Sequence, residues 1–325
     1  MKKIIFAVTL IFLMIISISC GKDSNEVLIL TSTDEVRMVY FQDRLNEQFP
    51  QYKITLDYLT TGALAARIKA EGTRTDCDII GELESAYLEG VLDSLADLSY
   101  LDTTVFLREL VPSHVRYLPY TKTVGCIVIN TDFLSARNLP VPASYNDLIH
   151  PRYRGFLSMP SPKSSGTGYF FLKGLVNAWG EQEAFDYFDK FAENVLQFTS
   201  SGSGPVNALI QGEAGIALGM QYHVVNVMNE RNAPFRILFF EEGSPYTTYG
   251  TAVIRGKETR QAVKDVFEFW AFTLNLEDKE LFIPDQVFVT QTTNVPNYPQ
   301  NIKMADMTGI ESLEEKERLL DKWPH

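Results

Sequence analysis

The chain alternates short apolar runs with amphipathic stretches, and its first complete unit reads strand, helix, strand, helix, strand. Val27–Leu30 is an unbroken apolar run of the kind that fills a buried parallel strand. Met38, Phe41, Leu45 and Phe49 then recur at spacings of three and four, which predicts a helix that Pro50 stops. Over Tyr52–Leu59 the pattern changes to period two, with Ile54, Leu56 and Tyr58 on one side. Leu64 and Ile68 place a second helix over Ala63–Glu71, closed by Gly72, and Cys77–Ile80 is a third strand leading into Gly81-Glu82. This alternation is the pattern of a doubly wound α/β lobe.

The same alphabet continues downstream. Tyr120–Leu134 predicts a strand long enough to pass between two lobes, and Leu139–Leu148 is a proline-stiffened turn followed by a Ser144/Asp147 capping pair. Phe156–Met159, Val195–Thr199, Ala214–Gly219 and Phe235–Phe240 read as strands. Between them lie helices over Tyr169–Ala178 and Glu181–Ala192, the latter with Phe185, Phe188 and Ala192 facing inward. Gly250–Ile254 is a returning strand, and Lys257–Leu274 a long helix burying Val263, Val266, Phe267 and Trp270. The tail, Asn275–His325, carries a helical pattern at Ile310–Leu320. The expected division is residues 27–120 with 249–300 as lobe 1 and 121–248 as lobe 2, leaving 301–325 as a helical tail assigned to neither.

Length agrees, since 325 residues exceed the usual ~100–200 per domain. The first twenty residues stand apart. Lys2 and Lys3 precede the apolar run Ile4–Ile18, which ends in Ser19-Cys20-Gly21 and reads as an export signal. The run is short of the ~20 residues that cross a bilayer. Its end resembles a bacterial lipobox, with Ser17 where the pattern has an aliphatic residue, so Cys20 is the expected lipidated residue and 21–26 a tether. Without Lys2 and Lys3 the chain holds 27 basic and 41 acidic residues, a balance of -14. That composition argues against nucleic-acid partners but not against a small anion, because local dipoles govern a pocket. Cys77 and Cys126 sit inside apolar runs and read as buried free thiols, with a single disulfide left open.

Two stretches carry chemistry. Lys163-Ser-Ser-Gly-Thr-Gly168 and Thr199-Ser-Ser-Gly-Ser-Gly-Pro205 are hydroxyl- and glycine-rich, and each runs into a helix. Glycine permits turn geometries closed to other residues. The first N–H groups of a helix are unpaired and partially positive. Beside Ser164, Ser165, Gly166 and Thr167, and again beside Ser200, Ser201, Gly202 and Ser203, they make a seat for an oxyanion. Ligands of doubly wound sheets lie beyond the carboxyl ends of the strands. Those ends supply Ser32, Thr33, Asp34, Thr60, Thr61 and Glu82 in lobe 1, and Ser165, Ser201, Tyr222, His223 and Glu242 in lobe 2. Several serve equally well as helix caps. No nucleophile elbow, phosphate loop, dinucleotide fingerprint or paired histidines occur, so a binding role is expected rather than catalysis.

Leu139–Leu148, Pro160–Gly168, Leu175–Gly180, Phe198–Pro205, Gln211–Glu213 and Phe239–Tyr246 together resemble the solute-binding proteins of bacterial ABC importers. The similarity lies with the branch that includes ferric-ion, 2-aminoethylphosphonate and hexose-phosphate binders. The resemblance implies a type II periplasmic-binding-protein fold, two α/β lobes joined by hinge-crossing strands. It implies a monomer that needs no cofactor and hands its cargo to an inner-membrane permease. A sugar phosphate or organophosphonate is the first expectation, with His223 and Glu242 on sugar hydroxyls and the Ser/Thr groups on phosphate; Val224 departs from the acidic neighbour such binders place after the histidine. The alternative is ferric iron or a ferric chelate on Asp34, Glu82, Tyr222 and His223, and an exported hydrolase is a remote third reading.

Overall fold

Among the described residues nine strands form a continuous sheet in the order β2-β1-β3-β9-β4-β7-β5-β6, with β8 paired to β4. Their ranges are β1 Glu26–Thr31, β2 Lys53–Tyr58, β3 Ile79–Glu84, β4 Leu118–Asn130, β5 Leu157–Pro160, β6 Val195–Thr199, β7 Ile216–Met220, β8 Phe235–Leu238 and β9 Tyr246–Val253. The computed structural model describes residues 25–292 and 295–325. The expected export signal, Cys20 and residues 21–24 of the tether lie outside the described residues.

The sheet has two halves that share β4. In the first, β1 pairs in parallel with β2 and β3, and β9 closes antiparallel on β3. β4 pairs with β9 over Leu118–Val124, then changes partners at Gly125 to lie against β7 and β8. At Gly125 the second half packs tightly on the strand. A Cβ there would lie 2.5 Å from the Phe170 ring, so only glycine lets helix Gly166–Trp179 approach the strand. Each half buries its own core: Phe41, Leu45, Phe267 and Trp270 belong to the first, and Phe170, Phe171, Phe188 and Trp323 to the second. Cys77 and Cys126 are buried and not joined to each other, and the Cys77 thiol donates to Ile79 O at 3.1 Å.

Three elements depart from the sequence pattern. β3 begins at Ile79 and runs through Glu82, which therefore projects from the strand instead of following it. Helix Glu181–Ala192 turns Ala184, Tyr187, Phe188 and Phe191 inward, and Phe185 and Ala192 are only half-buried; the aromatic stripe, richer than the alternative, sets the face. The long helix starts at Gln261, not Lys257, because a turn at Gly256 (φ +91°) precedes it. It then loosens into a π segment, Phe269–Leu274, before resuming as Asn275–Leu281. Within that segment Trp270 stacks on Tyr120 at 5.5 Å and its indole N–H donates to Gly81 O at 3.0 Å.

Beyond Leu281 the chain returns past both halves, bridging Phe288 to Phe106 and Met304 to Ser244. Asp285, in this return, accepts a hydrogen bond from Tyr298 Oη at 2.7 Å. Burial pushes its carboxyl up to about 6, against the opposing hydrogen bond from Tyr298. A value raised on folding means stabilisation that is full below the ordinary carboxyl range and lost as pH rises through about 6. Asp285→Asn is therefore expected to gain roughly 2–3 kcal/mol over the parent at pH 8 and little at pH 4. Urea unfolding at both pH values reads this directly, and an equal difference at the two would contradict it.

The last helix, Leu313–Lys322, rests on both halves. Leu319 and Trp323 enter the second core, while Lys316 pairs with Glu84 of β3 and Glu317 with Lys69 in the first half. The tail is thus tied to both lobes.

Candidate functional site

Where the two halves face each other, a cleft of about 830 Å³ opens, within the range of small-molecule sites. Its first wall comes from the β1 and β2 ends and from the helices that follow. Ser32 and Asp34 precede helix Glu35–Gln48, with Asp34 as its cap, and Thr60 caps helix Thr61–Glu71. Its second wall is the pair of Ser/Gly loops. Helix Gly166–Trp179 starts within the first loop, with Ser165 at the N-cap position, so the loop and the helix end are one object. The second loop enters helix Gly204–Ile210, only seven residues long, so its contribution is mainly its hydroxyls.

The loops meet. A Cβ at Gly202 would lie 2.5 Å from Thr167 Oγ1, and one at Gly166 only 2.6 Å from Tyr249 Oη and 2.7 Å from Glu84 Oε2. Ser164 Oγ is buried without a hydrogen-bond partner, and Ser201 and Ser203 hydroxyls stand 3.3 Å apart. No charged side chain lines this wall among the described residues.

The first wall is charged. Arg37, 2% exposed, donates from Nε and Nη2 to Asp278 at 2.8 and 2.7 Å and from Nη1 to Glu82 Oε2 at 3.2 Å. Asp34 Oδ2 lies 3.7 Å from Arg37 Nη1. Lys279 pairs with Asp278 at 2.5 Å and donates to Thr121 Oγ1 at 3.1 Å. Burial alone would lower the Arg37 value, but Asp278 and Glu82 hold it well above the ordinary one. Two buried cations therefore face two buried carboxylates, and the half-buried Asp34 is left in excess at the cleft surface.

The walls touch through Tyr222, whose hydroxyl donates to Asp34 Oδ2 at 2.8 Å. Burial first, and the charge of Asp34 second, hold this phenol well above its usual value. It stays a neutral donor.

Thirteen residues singled out from the sequence converge on the cleft: Ser32, Asp34, Thr60, Thr61, Glu82, Ser164, Ser165, Thr167, Ser200, Ser201, Gly202, Ser203 and Tyr222. Four do not line it. Thr33 turns inward and donates to Glu82 Oε2 at 2.6 Å, bracing that carboxylate. Gly166 supplies the close approach just described. His223 stacks behind Tyr222 at 6.5 Å, its value lowered by burial. Glu242 leaves Oε2 without a hydrogen-bond partner, and its charge acts on Tyr145 and Tyr187. Of the four residues of the ferric alternative, Asp34, Glu82 and Tyr222 line the cleft and His223 stands apart.

Sequence reading passed over Arg37, Thr123, Asn207 and Tyr249, all cleft-lining. Arg37 had a signal: it precedes Phe41 and Leu45 at spacing four, a charge on the buried stripe. Thr123 and Tyr249 sit mid-strand on β4 and β9, where period two marks a face but not what that face meets.

A sequence profile described as bacterial extracellular solute-binding protein matches residues 92–272. An uncharacterised protein of Haemophilus influenzae is 28% identical over 203 residues, 60% of this chain and 58% of that one. The phosphoglycerate transport regulatory protein PgtC of Salmonella typhimurium is 27% identical over 141 residues, 42% of this chain and 35% of its own length. The matches thus span less than two thirds of either relative. Among solved structures, the periplasmic binding protein AfuA from Actinobacillus pleuropneumoniae, with exogenous fructose-6-phosphate bound, superposes with TM-score 0.81 at 21% identity. That match covers 92% of this chain and 97% of AfuA. Iron-bound HitA from Pseudomonas aeruginosa gives 0.75 at 16% identity, over 91% and 98%. These likenesses show the fold, the two-lobed type II arrangement of periplasmic binding proteins.

Proposed function

The chain belongs to the bacterial extracellular solute-binding proteins, and we propose that it captures a small anionic solute, a sugar phosphate or organophosphonate, in the cleft between its halves. The anionic group sits on the Ser/Gly wall; the polar remainder of the solute faces Asp34 and Glu82. The observation that carries this reading is Ser164 Oγ, buried and without a partner at the N-terminal edge of a fourteen-residue helix. A phosphoryl oxygen would accept from this hydroxyl and from the free N–H groups beside it. Among the described residues the opposite wall holds no unengaged cation, since Arg37 is committed to Asp278 and Glu82. Two similar proteins, the phosphoglycerate transport regulatory protein PgtC and AfuA with fructose-6-phosphate bound, point the same way. The solute then passes to an ABC permease, with the monomeric protein held at the membrane by a lipid on Cys20.

Calorimetric titration with fructose 6-phosphate, 2-aminoethylphosphonate and ferric citrate separates the ligand classes. For whichever phosphorus compound binds, Ser164→Ala with Ser201→Ala is expected to weaken affinity by roughly 1–3 kcal/mol. Stability of the ligand-free protein should change little, because the Ser164 hydroxyl has no partner within the chain and the Ser201 hydroxyl meets only that of Ser203, at 3.3 Å. Unchanged affinity in this double variant would remove the Ser/Gly wall as the anion seat, and tight ferric binding alone would favour the metal reading.

A further inference from the structure

A second cavity, of about 360 Å³, lies apart from the cleft. Its walls are β4, the first residue of helix Gln221–Arg231, and the returning chain on either side of Tyr298. Three polar groups meet there with incomplete bonding. Gln221 is 1% exposed, yet its Oε1 has no hydrogen-bond partner. Such a buried acceptor is costly unless something donates to it. Asp285 accepts from Tyr298 Oη at 2.7 Å. Lys122 holds its Nζ 4.7 Å over the Tyr246 ring, with no carboxylate within ion-pair distance among the described residues. Val124 and Ile302 supply apolar surface between them.

An acceptor lacking a donor, a carboxylate, and a cation that feels that carboxylate only from beyond ion-pair distance are complementary to one small molecule that carries both charges. We propose that this cavity is a second binding site, for a small zwitterion of the α-amino acid class. The ammonium of the ligand donates to Gln221 Oε1 and Asp285, its carboxylate meets Lys122, and its side chain lies on Val124 and Ile302. Gln221 immediately precedes Tyr222, whose phenol bonds Asp34 across the main cleft. An occupant would therefore pin the start of the helix that carries the contact between the two walls.

The probe is a panel of the standard L-amino acids, added singly to the full mature chain while thermal unfolding is followed. At least one is expected to raise the midpoint, by an amount that grows with the logarithm of its concentration. In Gln221→Leu and, separately, in Lys122→Met, the same compound should bind at least tenfold more weakly, about 1.4 kcal/mol. Ser164→Ala with Ser201→Ala should leave the shift intact, which distinguishes this site from the cleft. No shift with any amino acid overturns the assignment. So does a shift that survives both Gln221→Leu and Lys122→Met, or one that only the serine changes abolish.

Discussion

Arg37→Met should destabilise the folded protein by about 3–5 kcal/mol, the cost of leaving buried carboxylates without their counter-charge. Arg37 joins three acids at once: a two-pronged contact to Asp278, a single bond to Glu82, and Asp34 at 3.7 Å. Without it, among the described residues Asp278 keeps only Lys279 as a side-chain partner, and Glu82 only the Thr33 hydroxyl. Methionine fills much of the arginine stem's volume, so most of the loss is electrostatic. The lost guanidinium contacts to the Phe41 and Tyr222 rings, at 5.5 and 5.9 Å, add a smaller share. Chemical denaturation of the single variant measures the total. Adding Asp278→Asn should return part of it, because the second change removes a charge that the first stranded. A loss below 1 kcal/mol, or a double variant weaker by the sum of the two singles, would show that the network does not stabilise the fold as described.

An equal loss, again about 3–5 kcal/mol, is expected for Lys316→Met. Lys316 is 1% exposed, donates to Glu84 Oε2, and lies 4.3 and 4.2 Å from the Tyr87 and Tyr169 rings. Glu84 is wholly buried, and its other bond, from Thr247 Oγ1, is long at 3.4 Å. Removal of the ammonium therefore strands a carboxylate at the junction of the halves. Because the pair is out of water, the loss should persist at high salt, unlike the exposed Lys69–Glu317 pair of the same helix. Lys316→Met with Glu84→Gln should recover most of the stability, since a neutral amide needs no counter-ion. If the double variant unfolds as readily as the single, the tail helix is held by its apolar contacts, Leu319 and Trp323, and not by this pair.

Local pattern reached a long way into this structure. The period-two run at Tyr52–Leu59 became β2, the three-and-four spacing of Met38, Phe41 and Leu45 became the helix Glu35–Gln48, and Gly72 closes the following helix at φ +56°. Both Ser/Gly loops were legible as helix entries because glycine, serine and proline act on the backbone within a few residues. Their meeting at Gly202 and Thr167 follows from the parallel pairing of β5 and β6, which sets the strand ends side by side.

Other positions could not be read along the chain. His223 looked equivalent to Tyr222 in sequence, yet only Tyr222 lines the cleft, since successive residues in a helical first turn point about 100° apart; Glu242, in the turn after β8, does not line it either. Arg37 and Asp278 are separated by 241 positions and meet only once the Asn275–Leu281 helix packs beside Glu35–Gln48. By itself the sequence determined the α/β class, the two serine-rich helix entries and the chain's net negative charge, because periodicity, turn chemistry and composition are local or additive properties. Only the tertiary structure decided which wall carries charge, which hydroxyl lacks a partner and where the second cavity lies. Those depend on long-range contacts, and the energy of a buried polar group is set by what the rest of the fold brings next to it.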